Sequence, residues 1–463
     1  MRLTALLFLA ACAASAAWAQ PANPQQQRAF EIYRELVEIN TVTATGDTGK
    51  AADAMAARLL AAGFPASDVQ VFKPAPRKGN LVARLHGSGA RKPIILMAHI
   101  DVVEARREDW STDPFKLVEK DGYYYARGSG DDKYMAATWI ANLIRYREEG
   151  FVPDRDLVVV LETDEEILDG NGVGITWLLK NRPELRDAAF ALNEGAGVST
   201  LGGKPITIGV QSSEKVFMNY RLEVTNPGGH SAQPRPDNAI YTLGAALARL
   251  AHFEFPVQLN ETTRAWLERS APFQEPAIRD DMLAVARSGD SAAAARLSKR
   301  PQFNAVLRTT CVATMLEGGH AMNALPQLAR ATVNCRVMPG EPMENVRAAL
   351  VAAVADDQVK VLPAWDAVPS PPSPLEPSLM ETIGRVAHEF WPGAVVLPIM
   401  SAGGTDGTHT RNAGIPTYGH SGFASPQEEP SRAHGRDERV SVKAFYEGQE
   451  YLYRLVKALG SPR

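Results

Sequence analysis

The spacing of apolar residues predicts alternating strands and helices from residue 25 to about residue 213. Three continuous apolar runs are typical of strands that are buried on both faces of a sheet, at residues 93–98, 156–161 and 189–192. Helical spacing appears between or before these runs, at residues 28–39, 50–62 and 132–147. Strands that are separated by helices form a mostly parallel sheet with helices on both faces, so we predict an α/β fold.

The pattern changes near Val216. Strands and helices are then predicted in the order β-α-β-β-α-β, at residues 218–224, 238–250, 309–316, 328–337, 343–354 and 359–362. This order is typical of a ferredoxin-like α+β sandwich whose sheet has one open face. A helix-rich insertion at residues 255–303 interrupts the unit.

A proline-rich stretch at residues 363–377 predicts a linker, and α/β alternation returns after it. The elements there are a helix at residues 378–390, a strand at 394–399 and a helix at 441–459. We therefore predict one discontinuous α/β domain at residues 25–213 and 364–463. A smaller lid domain is inserted into it at residues 214–363.

Composition and charge fit a folded protein of two domains. The chain has 463 residues, of which 45% are hydrophobic and 22% charged. The formal net charge is −4 and the sequence contains no basic run, so nucleic acid is not an expected partner.

The N-terminus differs from the rest of the chain. Arg2, the short apolar run at residues 3–11 and the small residues of Ala17-Trp18-Ala19 predict a signal peptide at residues 1–19. The protein is then exported, either to the periplasm or as a secreted protein. A lipid anchor at Cys12 is the alternative. No segment is long and apolar enough to predict a transmembrane span.

Polar side chains follow the predicted buried strands. They are His99 and Asp101 after the first, Asp131 before the next helix, Glu165 and Glu166 after the second strand, and Glu194 after the third. The carboxyl ends of parallel strands meet at one edge of a sheet, and carboxylates gathered there repel each other unless a cation lies among them. Histidine and carboxylate ligands without cysteine indicate catalytic zinc, and also suit cobalt or manganese.

Each of these residues alone also fits an ordinary role. His99 fits a buried histidine, Asp132 a helix N-cap, and Glu165 and Glu166 surface charges. The prediction of a metal site rests on all of the residues ending strands at one edge.

Nine short motifs occur along the chain. They are Met-Ala-His99-Ile-Asp101, Arg-Gly-Ser-Gly-Asp131, Glu-Thr-Asp-Glu165-Glu166, Asn-Glu194-Gly, Gly-His230-Ser, Gly319 to Pro326, Asn-Cys-Arg336-Val, Gly-Gly-Thr-Asp406 and Ala-His434-Gly. In this order and spacing they resemble the co-catalytic zinc metallopeptidase family of glutamate carboxypeptidase, acetylornithine deacetylase, succinyl-diaminopimelate desuccinylase and aminoacylase. The resemblance covers nearly the whole chain after the signal peptide. It implies a zinc exopeptidase-type fold with an inserted ferredoxin-like lid domain.

The resemblance also implies roles for the residues at the edge of the sheet. The metal ligands are His99, Asp131, Glu166, Glu194 and His434, with Asp131 bridging two ions. Glu165 is the implied general base, and Asp101 hydrogen-bonds the ring of His99. Only the resemblance identifies His434, because a loop histidine carries no signal of its own.

Residues of the lid domain receive roles in the same way. His230 steadies the oxyanion, often from the partner subunit, so a homodimer through the lid domain is expected. Asn323 and Arg336 hold the carboxylate of the substrate, for which a planar guanidinium is well shaped. The insertion at residues 255–303 either leaves the dimer contact intact or replaces it.

The function implied is hydrolysis of a peptide or amide bond next to a free carboxylate, as in a carboxypeptidase or dipeptidase. Metal-bound hydroxide attacks, with Glu165 as general base and two divalent ions, zinc before cobalt or manganese, as cofactors. The substrate is a small peptide or an N-acyl amino acid. One alternative is an N-acyl-amino-acid deacylase, and another is a non-catalytic binding protein on the same fold.

Two cysteines remain after the signal peptide. Cys311 and Cys335 lie at similar distances from the turn between two predicted strands. They either face each other in a disulfide or stay two separate buried thiols.

Overall fold

The computed structural model describes residues 21–167, 172–429 and 431–462. The predicted signal peptide at residues 1–19, with Cys12, lies outside these ranges. Among the described helices, none combines the length and the apolar character that a membrane crossing requires.

Strands and helices alternate through most of the described chain. The strands are β1 (Val69–Ala75), β2 (Lys78–Leu85), β3 (Ile94–His99), β4 (Val118–Lys120), β5 (Tyr123–Tyr125), β6 (Leu157–Glu162), β7 (Phe190–Leu201), β8 (Lys204–Glu214), β9 (Val216–Thr225), β10 (Gly229–His230), β11 (Thr310–Gly318), β12 (Ala324–Leu325), β13 (Leu328–Val337), β14 (Lys360–Pro363), β15 (Val395–Ser401), β16 (Thr417–Pro426) and β17 (Arg439–Ser441). The helices are α1 (Pro24–Glu38), α2 (Thr48–Ala61), α3 (Lys133–Glu148), α4 (Ile175–Asn181), α5 (Ala239–Leu250), α6 (Glu261–Ser270), α7 (Pro276–Ser288), α8 (Ser291–Leu297), α9 (Pro301–Leu307), α10 (Met343–Val354), α11 (Pro377–Phe390), α12 (Gly407–Asn412) and α13 (Val442–Leu459).

Within the described residues, eight strands form one large sheet in the order β1-β2-β6-β3-β7-β16-β8-β15. The pairs β6–β3, β3–β7, β7–β16 and β8–β15 are parallel. The pairs β1–β2, β2–β6 and β16–β8 are antiparallel. The predicted mostly parallel sheet is therefore confirmed.

Both faces of the large sheet are buried, as the continuous apolar runs predict. In β3, Ile94 and Leu96 join the core beneath helices α1, α2, α3, α11 and α13, whereas Ile95 and Met97 join the core beneath α4. Fully burying one such side chain stabilises the fold by about 1.5–3 kcal/mol. A strand with both faces buried cannot alternate apolar and polar residues, which is why these runs are unbroken.

Four strands of the large sheet were not predicted, namely β1, β2, β8 and β16. Strand β1 lies at an edge and is only partly buried, and the other three contain glycine, serine or charged residues among their apolar positions. The third predicted strand also differs, because β7 continues to Leu201 instead of ending before Glu194.

A second sheet has the order β11-β13-β9-β14 and is antiparallel throughout. Helices α5 and α10 pack on one face of it and share a separate hydrophobic core with its strands. The elements follow the predicted β-α-β-β-α-β order. The lid boundaries at residues 214–363 stay a prediction, which the separate core supports.

The insertion forms helices α6 to α9, which share a core of their own. The helical stretch ends at Leu307, beyond the predicted end at residue 303. Helix α6 packs against β15, the edge strand of the large sheet. Its Thr262 hydroxyl lies 2.9 Å from the hydroxyl of Ser212 in β8. The insertion is therefore attached to the large sheet.

Cys311 and Cys335 face each other directly across β11 and β13 and form a disulfide. The alternative of two separate thiols is wrong for this structure. The bond fastens β11, an edge strand, to its neighbour.

Candidate metal centre

The structure brings imidazoles and carboxylates from distant parts of the chain together at one edge of the large sheet. Within the part of the chain that the structure describes, three groups have ligand atoms within 4.8 Å of one another, namely His99, Asp131 and Glu194; His99, Glu165 and Glu166; and Asp131, Glu166 and His434. We call His99, Asp131 and Glu194 the first ligand set, and Asp131, Glu166 and His434 the second ligand set. Each of the five residues predicted as ligands therefore belongs to at least one of these two sets.

Asp131 lies at the centre of the two sets. Its Oδ1 is 3.0 Å from Nε2 of His99, and its Oδ2 is 3.2 Å from Nε2 of His434. Nε2 of His434 is also 3.0 Å from Oε2 of Glu166. Nε2 of His99 is 3.9 Å from Oε2 of Glu194. One carboxylate therefore has one oxygen toward each set.

A bulge in β7 positions Glu194. Asn193 pairs with Gly419 of β16 and Ala196 pairs with His420, so Glu194 and Gly195 stand between these pairs as extra residues. Gly195 has a φ of 139°, and a Cβ there would lie 2.8 Å from the side-chain oxygen of Gln211. Only glycine fits this backbone, and the bulge turns Glu194 toward the ligands.

Asp101 supports the site in two ways. Its main-chain carbonyl oxygen lies 3.1 Å from Nδ1 of His99, whereas its carboxylate is 3.7 Å away. The carboxylate instead accepts the main-chain N–H groups of Glu165 and Glu166, over 3.3 and 3.2 Å. The predicted contact with the ring is therefore made by the carbonyl group, which places the proton on Nδ1 and leaves Nε2 free to bind a metal.

The pKa values show that the cluster lacks positive charge. Desolvation raises the pKa of Glu165 and of Glu194 well above the usual range for a glutamate, and nearby carboxylates add to the effect for both. Burial alone lowers the pKa of His99, but Glu194, Asp101 and Asp131 outweigh it and raise that pKa. Hydrogen bonds to Asp131 and Glu166 raise the pKa of His434 to about 10. The cluster therefore suits a bound cation.

Divalent cations supply the positive charge that the cluster lacks. The donor atoms are imidazole nitrogens and carboxylate oxygens, which are the ligands of catalytic zinc sites, and each set supplies three of them. Three protein ligands leave a further position for water or substrate. The residues therefore fit two metal ions that share Asp131.

The carboxyls of Asp132, Asp406 and Glu162 lie near the site but belong to neither ligand set. Asp132 occupies the N-cap position of α3, but its side chain accepts no capping hydrogen bond, so the capping interpretation is wrong. Asp406 lies beside Glu162, and both are buried. Burial raises the pKa of each, and the charge of Asp406 adds to the rise for Glu162.

The lid residues lie apart from the ligand sets. His230 is exposed on β10, which pairs with β12, and the carbonyl oxygen of Asn323 accepts the N–H of Ser231 over 3.1 Å. Arg336 lies on β13, where Nη1 donates to the carbonyl of Ala402 over 3.3 Å. Ala402 follows β15 in the loop that leads to Asp406, so Arg336 faces the edge of the large sheet that carries the site.

Two supporting residues were not predicted, Arg127 and Glu438. Both are buried, and Glu438 accepts the main-chain N–H of Asp131 over 3.1 Å. Arg127 is part of the motif that ends at Asp131, but the sequence gives no sign that its partner lies four residues after His434.

The fold has close counterparts among solved structures. The M20 family metallo-carboxypeptidase Sso-CP2 of Sulfolobus solfataricus superposes with a TM-score of 0.67, over 93% of this chain and 98% of that chain, at 17% identity. YXEP of Bacillus subtilis, described as a dinuclear metal binding peptidase, gives a TM-score of 0.58 over 94% and 98%, at 12% identity. The chain therefore shares the fold of these two proteins.

The sequence identifies the family. Residues 95–458 match Peptidase family M20/M25/M40, so the chain belongs to this family and is a hydrolytic enzyme. It is 30% identical over 375 residues to the N-fatty-acyl-amino acid synthase/hydrolase PM20D1 of Homo sapiens, which covers 79% of this chain and 74% of the relative. The resemblance and the enzyme class are confirmed, whereas the roles of single residues stay predictions. The alternative of a non-catalytic binding protein gains no support.

Proposed function

We propose that this enzyme hydrolyses a peptide or amide bond next to a free carboxylate in a small peptide, with two divalent metal ions. The observation that supports this most is the place of Asp131, whose two carboxylate oxygens face His99 and His434 within 3.2 Å. A shared carboxylate between two ligand sets is the arrangement that a two-metal hydrolase needs.

The first ligand set would hold one ion and the second ligand set the other, with zinc the first choice and cobalt or manganese the alternatives. Two divalent ions with the carboxylates of Asp131, Glu166 and Glu194 leave a net charge of about +1. When bound, such ions activate water and polarise the carbonyl of the scissile bond.

Glu165 is the proposed general base. A carboxylate oxygen of Glu165 lies within 4.8 Å of ligand atoms of His99 and Glu166, and desolvation raises its pKa well above the usual range. A base with a raised pKa accepts a proton from water more readily. Glu165 then takes this proton and returns it to the leaving nitrogen.

Arg336 is proposed to bind the free carboxylate of the substrate. Its guanidinium lies 4.7 Å from the ring centroid of Phe217, which stacks on Trp365 with centroids 5.4 Å apart. This stack fixes the guanidinium plane, and the main-chain contact with Ala402 leaves other N–H groups for a bidentate bond. Asn323 is proposed to bind the same carboxylate.

His230 is proposed to steady the oxyanion from the partner subunit of a homodimer. Nδ1 of His230 accepts the N–H of Ala232 over 3.1 Å, so the proton of the neutral ring lies on Nε2 and is available for donation. Edge strand β11 exposes Val312, Met315 and Leu316 by 60% or more. These exposed apolar side chains support a contact between the lid domains of two subunits. The insertion packs against β15 of the large sheet, which leaves the exposed side of β11 available for this contact.

A specific observation favours one other function, an N-acyl-amino-acid deacylase. The human relative is named as an N-fatty-acyl-amino acid synthase/hydrolase. The same metal ions and base serve both reactions.

We also propose export, which the sequence pattern of residues 1–19 and the disulfide support.

Metal analysis and a substrate panel test the proposal together. The purified protein is expected to hold two divalent ions, and chelation should abolish hydrolysis. Dipeptides and N-acyl amino acids, with product identification, then separate peptidase from deacylase. A protein that binds no metal, or that hydrolyses neither class, contradicts the proposal.

A further inference from the structure

Arg127 and Glu438 form a buried ion pair behind the candidate metal centre. Nη1 of Arg127 donates to Oε2 of Glu438 over 2.7 Å, and the two side chains are only 3% and 2% exposed. Arg127 lies in the segment that leads to Asp131, and Glu438 lies in the segment that follows His434. The pair therefore joins the two segments that supply Asp131 and His434 to the second ligand set.

Glu438 fixes the main chain that leads to Asp131. Its Oε1 accepts the N–H groups of Gly130 and Asp131, over 2.8 and 3.1 Å. Its Oε2 accepts the N–H of Gly128 over 3.2 Å. These charge-assisted bonds hold three peptide groups of one short segment against a single carboxylate, and so set the direction of the Asp131 side chain.

Arg127 fixes the main chain of His434. Its Nη2 lies 3.3 Å from the carbonyl oxygen of His434 and 3.2 Å from that of Gly435. The guanidinium packs over the ring of Trp110, 5.1 Å from its centroid. Arg127 therefore contacts both Glu438 and the carbonyl groups beside the imidazole.

His434 needs such support. Its φ of 62° is in the left-handed region, which costs a non-glycine residue about 1–3 kcal/mol and persists where surrounding contacts hold it. Its side chain is 57% exposed, and its contacts with Asp131 and Glu166 are made by Nε2 at the tip of the ring. The main-chain contacts of Arg127 hold the backbone from which the imidazole reaches Asp131 and Glu166.

We propose that Arg127 and Glu438 are positioning residues, which hold Asp131 and His434 at the separation that the second metal ion requires. This inference rests on the proposed metal centre. Both side chains are buried, and neither residue belongs to a ligand set. Loss of the partners that orient metal ligands lowers metal affinity about 10- to 100-fold.

Zinc titration of the metal-free full-length protein tests this directly. In His434→Ala, the zinc-binding step that is weakened or lost is the one that depends on the second ligand set. Glu438→Gln is expected to weaken the same step at least about tenfold, and the other step less, because Asp131 belongs to both ligand sets whereas His434 belongs to the second alone. The double variant Arg127→Met/Glu438→Gln removes both charges, so it folds without an unpaired buried charge. The double variant is expected to be more stable to heat than Glu438→Gln and still to bind zinc weakly at the step that depends on the second ligand set.

Asp156→Asn is the matched control. Asp156 also accepts a main-chain N–H, from Gly87 over 2.9 Å, and a guanidinium bond from Arg84 over 2.7 Å, at the opposite end of the large sheet. Equal weakening in this control would reduce the effect to general destabilisation and overturn the inference. Unchanged zinc binding in both Glu438→Gln and the double variant overturns it and leaves the proposed function standing. If the unaltered protein binds neither zinc nor cobalt nor manganese, both fall.

Discussion

Oδ2 of Asp131 lies 3.2 Å from Nε2 of His434, although one residue precedes α3 and the other belongs to the last loop before β17. The other oxygen of Asp131 faces His99 at 3.0 Å. A single carboxylate thus contacts one imidazole from each ligand set. Any displacement of Asp131 disturbs both sets together, so the two metal ions are expected to depend on one another.

Replacement of Glu165 should separate chemistry from metal binding. Glu165→Gln keeps the shape of the side chain but removes the base, so kcat is expected to fall at least about 100-fold while both metal ions stay bound. Metal content by mass spectrometry and initial rates measure the two properties. Glu381→Gln, an exposed change on α11, is the control and should match the unaltered enzyme. An undiminished rate in Glu165→Gln would remove this residue as the base.

Arg336→Lys should weaken substrate binding more than turnover. Lysine keeps the charge but loses the planar fork, so KM for substrates with a free carboxylate is expected to rise roughly tenfold or more. Substrates whose carboxylate is amidated should show no change. Arg330→Lys is the control, because Arg330 is on the same face of β13 and pairs with Glu223 over 2.8 Å. If KM stays constant in Arg336→Lys, the binding role is refuted.

Mixing two inactive variants tests the homodimer. His230→Ala lacks the proposed oxyanion donor and Glu165→Gln lacks the base, so each alone is expected to be inactive. In a mixed dimer, one of the two sites has intact Glu165 and receives His230 from the partner. About half of the dimers in an equal mixture are mixed, so the activity of the mixture should return to about a quarter of the unaltered level. Mixtures that stay inactive, in a protein that is dimeric by light scattering, would show that His230 does not act across the interface.

His420 predicts a loss of stability in acid. Nδ1 lies 2.7 Å from the carbonyl oxygen of Gly209 and Nε2 lies 2.6 Å from the hydroxyl of Tyr451, so the buried ring is held neutral. Burial lowers its pKa from 6.5 to about 4. The unfolded chain therefore binds an extra proton between these values, and the stability that is present above pH 6.5 is lost as the pH falls toward 4.

Urea unfolding at pH 7 and pH 5 measures this effect. The free energy of unfolding is expected to fall by about 2 kcal/mol more in the unaltered protein than in His420→Gln, since glutamine does not titrate. The comparison with His420→Gln removes the contributions of other titrating groups and of metal loss, because both proteins share them. An identical pH dependence of the two proteins would assign the acid sensitivity to other residues.

The sequence predicted most of the site because its ligands follow buried strands. His99, Glu165 and Glu166 come after unbroken apolar runs that only a two-sided strand explains. Glu194 was found for a partly wrong reason, since it lies in a bulge within β7 and not after the end of the strand. A bulge depends on pairing with β16, which no local pattern shows.

Other parts of the site needed information that local patterns do not contain. His434 lies in an irregular loop, where no periodicity marks a residue as inward-facing, so only the family resemblance identified it. The contact between Arg127 and Glu438 joins segments that are far apart in sequence. Strands β8 and β16 were missed because their buried positions include glycine, serine and glutamine, which hydrogen bonds to neighbours satisfy.

The covalent link between Cys311 and Cys335 has a consequence for the surface of the lid domain. A strand that slips by one residue turns every side chain to the opposite face, and an outermost strand has a neighbour on one side only to prevent this. The link pins one pair of facing positions in β11 and β13. The link thereby prevents β11 from slipping, and every copy of the protein presents the same pattern of side chains along this edge of the lid domain.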